Sequence, residues 1–142
     1  HLFALTDEEL GRQGATRRTA ERSGIYPCRI ALERVRAGEE LILLNFEHHA
    51  APASPYRATG PIFISKSAGE QRIETGRLPP MMRDVLLSLR AYDSDGFLVE
   101  AELCEGPYAD GALRRFFANP HVAAVHAHFA RQGCYAARFE RA

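Results

Sequence analysis

The chain has 142 residues, 46% of them hydrophobic, and 18 basic side chains balance 18 acidic ones. That is enough apolar material for one domain with a real core. The zero net charge argues against non-specific nucleic-acid binding, which needs a basic surplus. No apolar run approaches 18 residues, so no transmembrane helix is expected.

Leu2 to Thr6 reads as a short strand. Thr6-Asp7-Glu8-Glu9 has the form of a capping box opening a helical turn, which Gly11 and Gly14 end early. Residues 11–24 hold Gly, Arg, Thr and Ser with few apolar side chains and read as a polar loop. Tyr26-Pro27 closes it, since a residue before proline favours extended backbone.

Arg29 to Val35 reads as a strand, Ala37 to Glu40 as a turn. Leu41 to Phe46 is apolar at successive positions, the pattern of a central strand covered on both faces. A loop with Pro52 and Pro55 follows over Glu47 to Ala58, then a buried strand at Ile62 to Ile64. Ser65 to Pro80 is a polar connection.

Val85 to Tyr92 and Phe97 to Cys104 form a hairpin around Ser94-Asp95-Gly96. A three-residue loop ending in glycine is a common hairpin turn. It matches the apolar odd positions of the two strands and sets Arg90 opposite Glu100. Asp110 caps a helix with Leu113, Phe116 and Phe117 on one face and Arg114 and Arg115 outside. Asn119-Pro120 ends it.

Val125 to Phe129 and Cys134 to Glu140 form the last hairpin, around Arg131-Gln132-Gly133. The same turn logic sets Arg138 opposite His126 and Ala136 opposite His128. His126, His128, Cys134, Arg138 and Glu140 then share one face, with Val125, Ala127, Phe129, Tyr135, Ala137 and Phe139 on the other. The class is α+β: a mostly antiparallel sheet with one or two short helices packed on it.

Five segments in order carry a resemblance: Tyr26-Pro27-Cys28-Arg29, Gly38 to Leu44, Ser54-Pro55-Tyr56-Arg57, Gly60 to Ile64, and Gly133 to Arg141. From Tyr26 to its end the chain resembles a bacterial family of single-domain proteins, domain-of-unknown-function family 1203. The resemblance implies a small cytoplasmic bacterial protein. It carries over no activity and no catalytic residue, and the cofactor is unknown.

The site residues therefore rest on chemistry. His126-X-His128 on a strand aims two imidazoles to one side, a common start for a metal site. A third ligand is needed. Cys134 shares the face, with Glu140, His48, His49 and His121 as further options. The plainer reading is two half-exposed histidines on a terminal hairpin. Arg138 points instead to an anion, since guanidinium grips carboxylate or phosphate with paired hydrogen bonds. The plainer reading pairs it with Glu140.

Cys28 stands beside Arg29, and a cationic neighbour lowers a thiol pKa. Near His126 or His128 it would make a Cys–His pair. The plainer reading is a small buried apolar residue. Cys104 reads as structural. No close cysteine pair suggests a disulfide framework, so a reduced, cytoplasmic setting is expected. No signal peptide is visible. His1, in place of methionine, reads as a tag remnant and is left out of the site. The loop from His48 to Arg57 is rich in binding groups and could close Tyr56 over a pocket, or be an ordinary surface connection. Phosphate-loop, dinucleotide and nucleophile-elbow motifs are missing.

Three functions follow. The first is binding of a small anionic ligand by Arg29 and Arg138, with His126, His128, Cys28 and Tyr56 lining the pocket. The second is a metal-dependent enzyme using His126, His128 and a third ligand such as Cys134. The third is an interaction module or homodimer joined through the terminal strand.

Overall fold

A computed structural model describes residues 1–67 and 78–141. Most of the polar connection expected over Ser65 to Pro80 lies outside the described residues. The fold is α+β and dominated by sheet. Among the described residues nine strands run β1 Thr16–Thr19, β2 Pro27–Cys28, β3 Glu33–Arg34, β4 Glu40–His49, β5 Ala58–Ser65, β6 Leu86–Tyr92, β7 Leu98–Glu105, β8 Ala124–Phe129 and β9 Tyr135–Glu140. The helices are α1 Asp7–Arg12 and α2 Ala109–Ala118. Chain contacts divide into two compact units, His1–Phe46 with Pro61–Ile73 and Glu47–Gly60 with Glu74–Ala142.

In the first unit the capping box forms as expected. Thr6 Oγ1 accepts from the Glu9 amide at 3.2 Å, and the Thr6 amide donates to the Glu9 carboxylate at 2.7 Å. The helix runs past Gly11 to Arg12, and Gly14 beyond its cap takes a left-handed φ of 70°. Leu2–Ala4 is a 3-10 turn rather than a strand. Its apolar side chains pack with Leu10, Ala15 and Ile42, an arrangement two-residue alternation does not predict.

The 11–24 stretch is not all loop, because Thr16–Thr19 pairs antiparallel with Leu43 to Glu40. Arg17 anchors this polar strand to Asp7 and Glu40, ion pairs that local propensity does not reveal. The strand expected over Arg29 to Val35 is broken. Leu32 takes a φ of 52°, so β2 turns back antiparallel on β3, while β2 pairs parallel with β5 through Cys28 and Phe63.

The second unit is built on a four-stranded antiparallel sheet in the order β7-β6-β8-β9. One face carries Leu87, Leu89, Ala91, Val125, Ala127 and Phe129, all buried. Glu102, opposite Leu89, accepts both 2.9 Å bonds from Arg115, so α2 lies on this face. The helix turns Ala109, Ala112 and Phe116 inward rather than Leu113 and Phe117.

Both turn glycines are left-handed as expected, Gly96 at φ 82° and Gly133 at 78°. The registers differ from the simple reading. Near the first turn Tyr92 faces Leu98, but Val99 is an extra residue and Ala91 faces Glu100. Arg90 therefore faces Ala101, not Glu100. A β-bulge of this kind shifts alternation by one. Phe97, Val99, Ala101 and Leu103 stay exposed instead of joining the buried face.

The last hairpin holds two irregularities that cancel. Phe129 pairs with Cys134 across a four-residue turn, Ala130 to Gly133, instead of three. Ala136 is then bulged, because His128 faces Tyr135 while Ala127 faces Ala137. Arg138 thus regains its place opposite His126, as expected, whereas Ala136 does not face His128.

Candidate functional site

The second face of the β7-β6-β8-β9 sheet is polar and aromatic. Arg90, His126 and Arg138 form one straight row across β6, β8 and β9. Ser88, His128 and Tyr135 form the next row. Both histidines are buried, His126 at 0% and His128 at 2% exposure, rather than half-exposed. His48 and His49, at the end of β4, cover this face. The His48 ring stacks on Tyr135 at 5.2 Å and meets His128 edge-on at 5.1 Å. The His49 ring stacks on Tyr92 at 4.1 Å and stands edge-on to His126 at 5.0 Å.

The covering loop is held by one carbonyl. His49 Nε2 and Ser54 Oγ each donate to the Gly96 oxygen at 2.8 Å. That bond occupies His49 and fixes His48 beside it. A ring nitrogen of His48, one of His126 and one of His128 all lie within 4.8 Å of one another. This is the one such group of three potential metal ligands among the described residues.

Electrostatics keep these rings neutral. Burial, the neighbouring imidazoles and Arg138 hold the His126 pKa down at about 3. Burial holds His128 at about 4, with Arg90 and His48 adding and the Gly133 carbonyl opposing. Burial and Arg90 lower His48 too. Burial raises the Tyr92 and Tyr135 hydroxyls, which stay protonated as donors.

Hydrogen bonds assign the lone pairs. His128 Nδ1 donates to the Gly133 oxygen at 3.0 Å, which leaves Nε2 as its acceptor. Arg90 Nη1 approaches that Nε2 at 3.5 Å, and Arg138 Nη1 approaches His126 Nε2 at 3.4 Å. The buried Nδ1 atoms of His48 and His126 have no hydrogen-bond partner among the described residues. Arg138 also donates to Glu140 at 2.8 Å, the pairing the sequence offered as its plainer reading. Arg90 pairs with no carboxylate among the described residues. It reaches Ser88 Oγ at 3.3 Å, and its charge favours ionisation of Tyr92.

The remaining expected site residues fall as follows. Cys28 lies in the core of the first unit with Ala20, Val35 and Leu41, and its Sγ accepts from the Ser65 amide at 3.3 Å. Arg29, in the same unit, donates to the Pro27 carbonyl at 2.7 Å. Tyr56 is exposed, its ring edge-on to Tyr92 and Phe97. Cys134 is half-buried at the turn and is not part of the three-nitrogen group. His121 is exposed after α2, its amide bonded to Asn119. Sequence reasoning missed Tyr135 because it reaches its position through a bulge that no residue type announces, and missed Arg90 because the pairing of β6 with β8, far along the chain, leaves no local mark. The sequence pointed to the covering loop as a stretch rich in binding groups, from His48 to Arg57, without singling out His48.

The sequence model of a family described as "Protein of unknown function (DUF1203)" matches residues 25–141. No curated protein and no solved structure matches the chain.

Proposed function

Because the chain belongs to the family of proteins of unknown function DUF1203, we propose a function from its own geometry: binding of a small anionic ligand against the Arg90–His126–Arg138 row. The observation that carries this reading is Arg90, a half-buried guanidinium with no carboxylate partner among the described residues. Leaving a charge unpaired out of water is costly, and a ligand carboxylate or phosphate would offset that cost. β6 and β9 flank β8, so the two arginine backbones stand about 10 Å apart, two strand spacings. That span suits a ligand of a few heavy atoms with its charge toward Arg90. Tyr92 and Tyr135 supply neutral hydroxyl donors and aromatic walls.

This reading keeps Arg138, His126 and His128 and takes Arg90 in place of Arg29 as the second cation. The imidazoles line the site but do not donate to the anion while neutral. Cys28 and Tyr56 have no part in it. None of the three cysteines forms a disulfide, which supports a reducing, cytoplasmic setting. No helix among the described residues is long and apolar enough to cross a membrane.

Calorimetry with phosphate, sulfate, succinate and citrate tests the reading. Binding of at least one of them should weaken about 10- to 100-fold in Arg90→Gln, the loss expected for a charge-assisted bond. Silence from all four in the parent protein, or unchanged binding in Arg90→Gln, would end it.

A homodimer is the second reading, and β7 rather than the terminal strand favours it. Both β7 and β9 are edges of their sheet. Both edges carry charge, Glu100, Glu102 and Glu105 on β7 and Arg138 and Glu140 on β9, but β7 also exposes Leu98, Val99 and Leu103, apolar surface that β9 lacks. Light scattering decides it: a monomer at high concentration removes this reading.

A further inference from the structure

We infer that His48, His126 and His128 form a binding centre for one divalent transition-metal ion of the zinc class. The inference stands on the imidazoles and not on the arginines, so it goes beyond the anion reading and can survive without it.

Three observations point to a cation. First, the three rings come together in a buried place with their nitrogens within 4.8 Å, and no carboxylate among them needs their protons. Neutral imidazole is the metal-binding form. Second, His128 already has the support that ligating histidines usually have. Its Nδ1–H is taken by a backbone carbonyl, which fixes the tautomer and leaves Nε2 to bind once Arg90 Nη1, 3.5 Å from it, turns away. Third, the Nδ1 atoms of His48 and His126 are buried polar atoms with nothing to bond among the described residues. Ligation through those atoms would satisfy both. The Arg138 guanidinium would then turn from His126 toward Glu140, which it already binds.

The distances ask for a modest closure. Imidazole nitrogens bind zinc at about 2.0–2.1 Å, which sets tetrahedral nitrogens about 3.4 Å apart. The set must therefore draw together by up to about 1.4 Å, a movement within reach of side-chain rotation. The ligand chemistry selects the ion. Nitrogen donors without a carboxylate suit zinc, cobalt, nickel or copper and disfavour magnesium and calcium. Three protein ligands leave a fourth position for water or substrate. Arg90 and Arg138 oppose a bare cation and favour a cation that carries an anion in that fourth position. Metal and anion should therefore strengthen each other's binding, in equal measure by linkage.

The test uses untagged, chelator-stripped protein titrated with cobalt(II), followed by visible absorption, with zinc(II) in competition. One cobalt per chain with the intense bands of a four-coordinate site is expected, displaced by one zinc. His48→Ala, at a half-buried position, should weaken cobalt binding at least tenfold, whereas Cys134→Ser and His121→Ala should leave it unchanged. Circular dichroism confirms that each variant folds. Arg90→Gln separates the two proposals, because it should keep cobalt uptake even where it loses the anion. No cobalt or zinc bound by the parent, or undiminished binding in His48→Ala, would overturn the inference. So would a loss of binding in Cys134→Ser equal to that in His48→Ala.

Discussion

Tyr135 faces His128 across the last hairpin, one residue out of step with the alternation of its own strand. The bulge at Ala136 turns its ring onto the polar face, where it stacks on His48 and stands edge-on to His126 and His128. One aromatic side chain thus backs all three imidazoles of the group.

Replacing that ring should loosen the group from behind. Tyr135→Ala is expected to lower stability by about 2–3 kcal/mol, through lost burial and ring contacts. Tyr135→Phe keeps both and should stay within about 1 kcal/mol of the parent. Urea denaturation of the two variants measures the difference, and equal losses would assign the effect to the hydroxyl instead.

Stability should fall in mild acid. In the folded chain His126 and His128 hold pKa values of about 3 and about 4, below the ordinary 6.5. Above pH 6.5 both states are neutral at these positions and the full stability is present. Below it the unfolded chain takes up protons that the folded chain refuses, so stability is lost as pH falls toward 4 and then 3. The groups facing these rings are Arg90, Arg138, His48, His49, Tyr92 and Tyr135, none of which is anionic in that range. Carboxylates such as Glu40 add a loss of the same sign at lower pH. Urea denaturation of chelator-treated protein from pH 7.5 to 4.5 should therefore show a shallower decline in His126→Gln than in the parent. Identical slopes would contradict the buried neutral state.

The Gly96 turn should tolerate no side chain. Its φ of 82° is left-handed, and a Cβ there would overlap the Ala51 side chain and press on His49 Nε2 and Ser54. Gly96→Ala is expected to cost about 2 kcal/mol or more, the backbone preference alone supplying about 1–2. The same variant should expose the covering loop to proteolysis between His49 and Ala58, because its carbonyl anchor moves. Limited proteolysis with mass mapping reads this directly.

The sheet-rich class, both long hairpins and both turn glycines were legible, because alternation and left-handed glycines leave local marks. The facing of Arg138 and His126 was legible for a subtler reason: the longer turn and the Ala136 bulge each shift the pairing by one and undo each other. Arg90 was hidden because its place beside His126 comes from the pairing of β6 with β8, two strands of different hairpins that nothing local ties together. β4 was read as ending at Phe46, since Glu47-His48-His49 is polar, yet the strand continues through them. His48 was thus one option among several, and nothing local tied it to His126. Cys28 looked reactive beside Arg29, whereas burial among apolar side chains decides its character.

His48 reaches the polar sheet face from the end of β4, while His126 and His128 stand on β8, far along the chain. In an unfolded chain His126 and His128 stay close, but His48 is held near them only once distant stretches have closed on each other. An ion bound by all three would act as a clasp between those stretches and resist their parting. Removing such an occupant should therefore make the second unit open more readily.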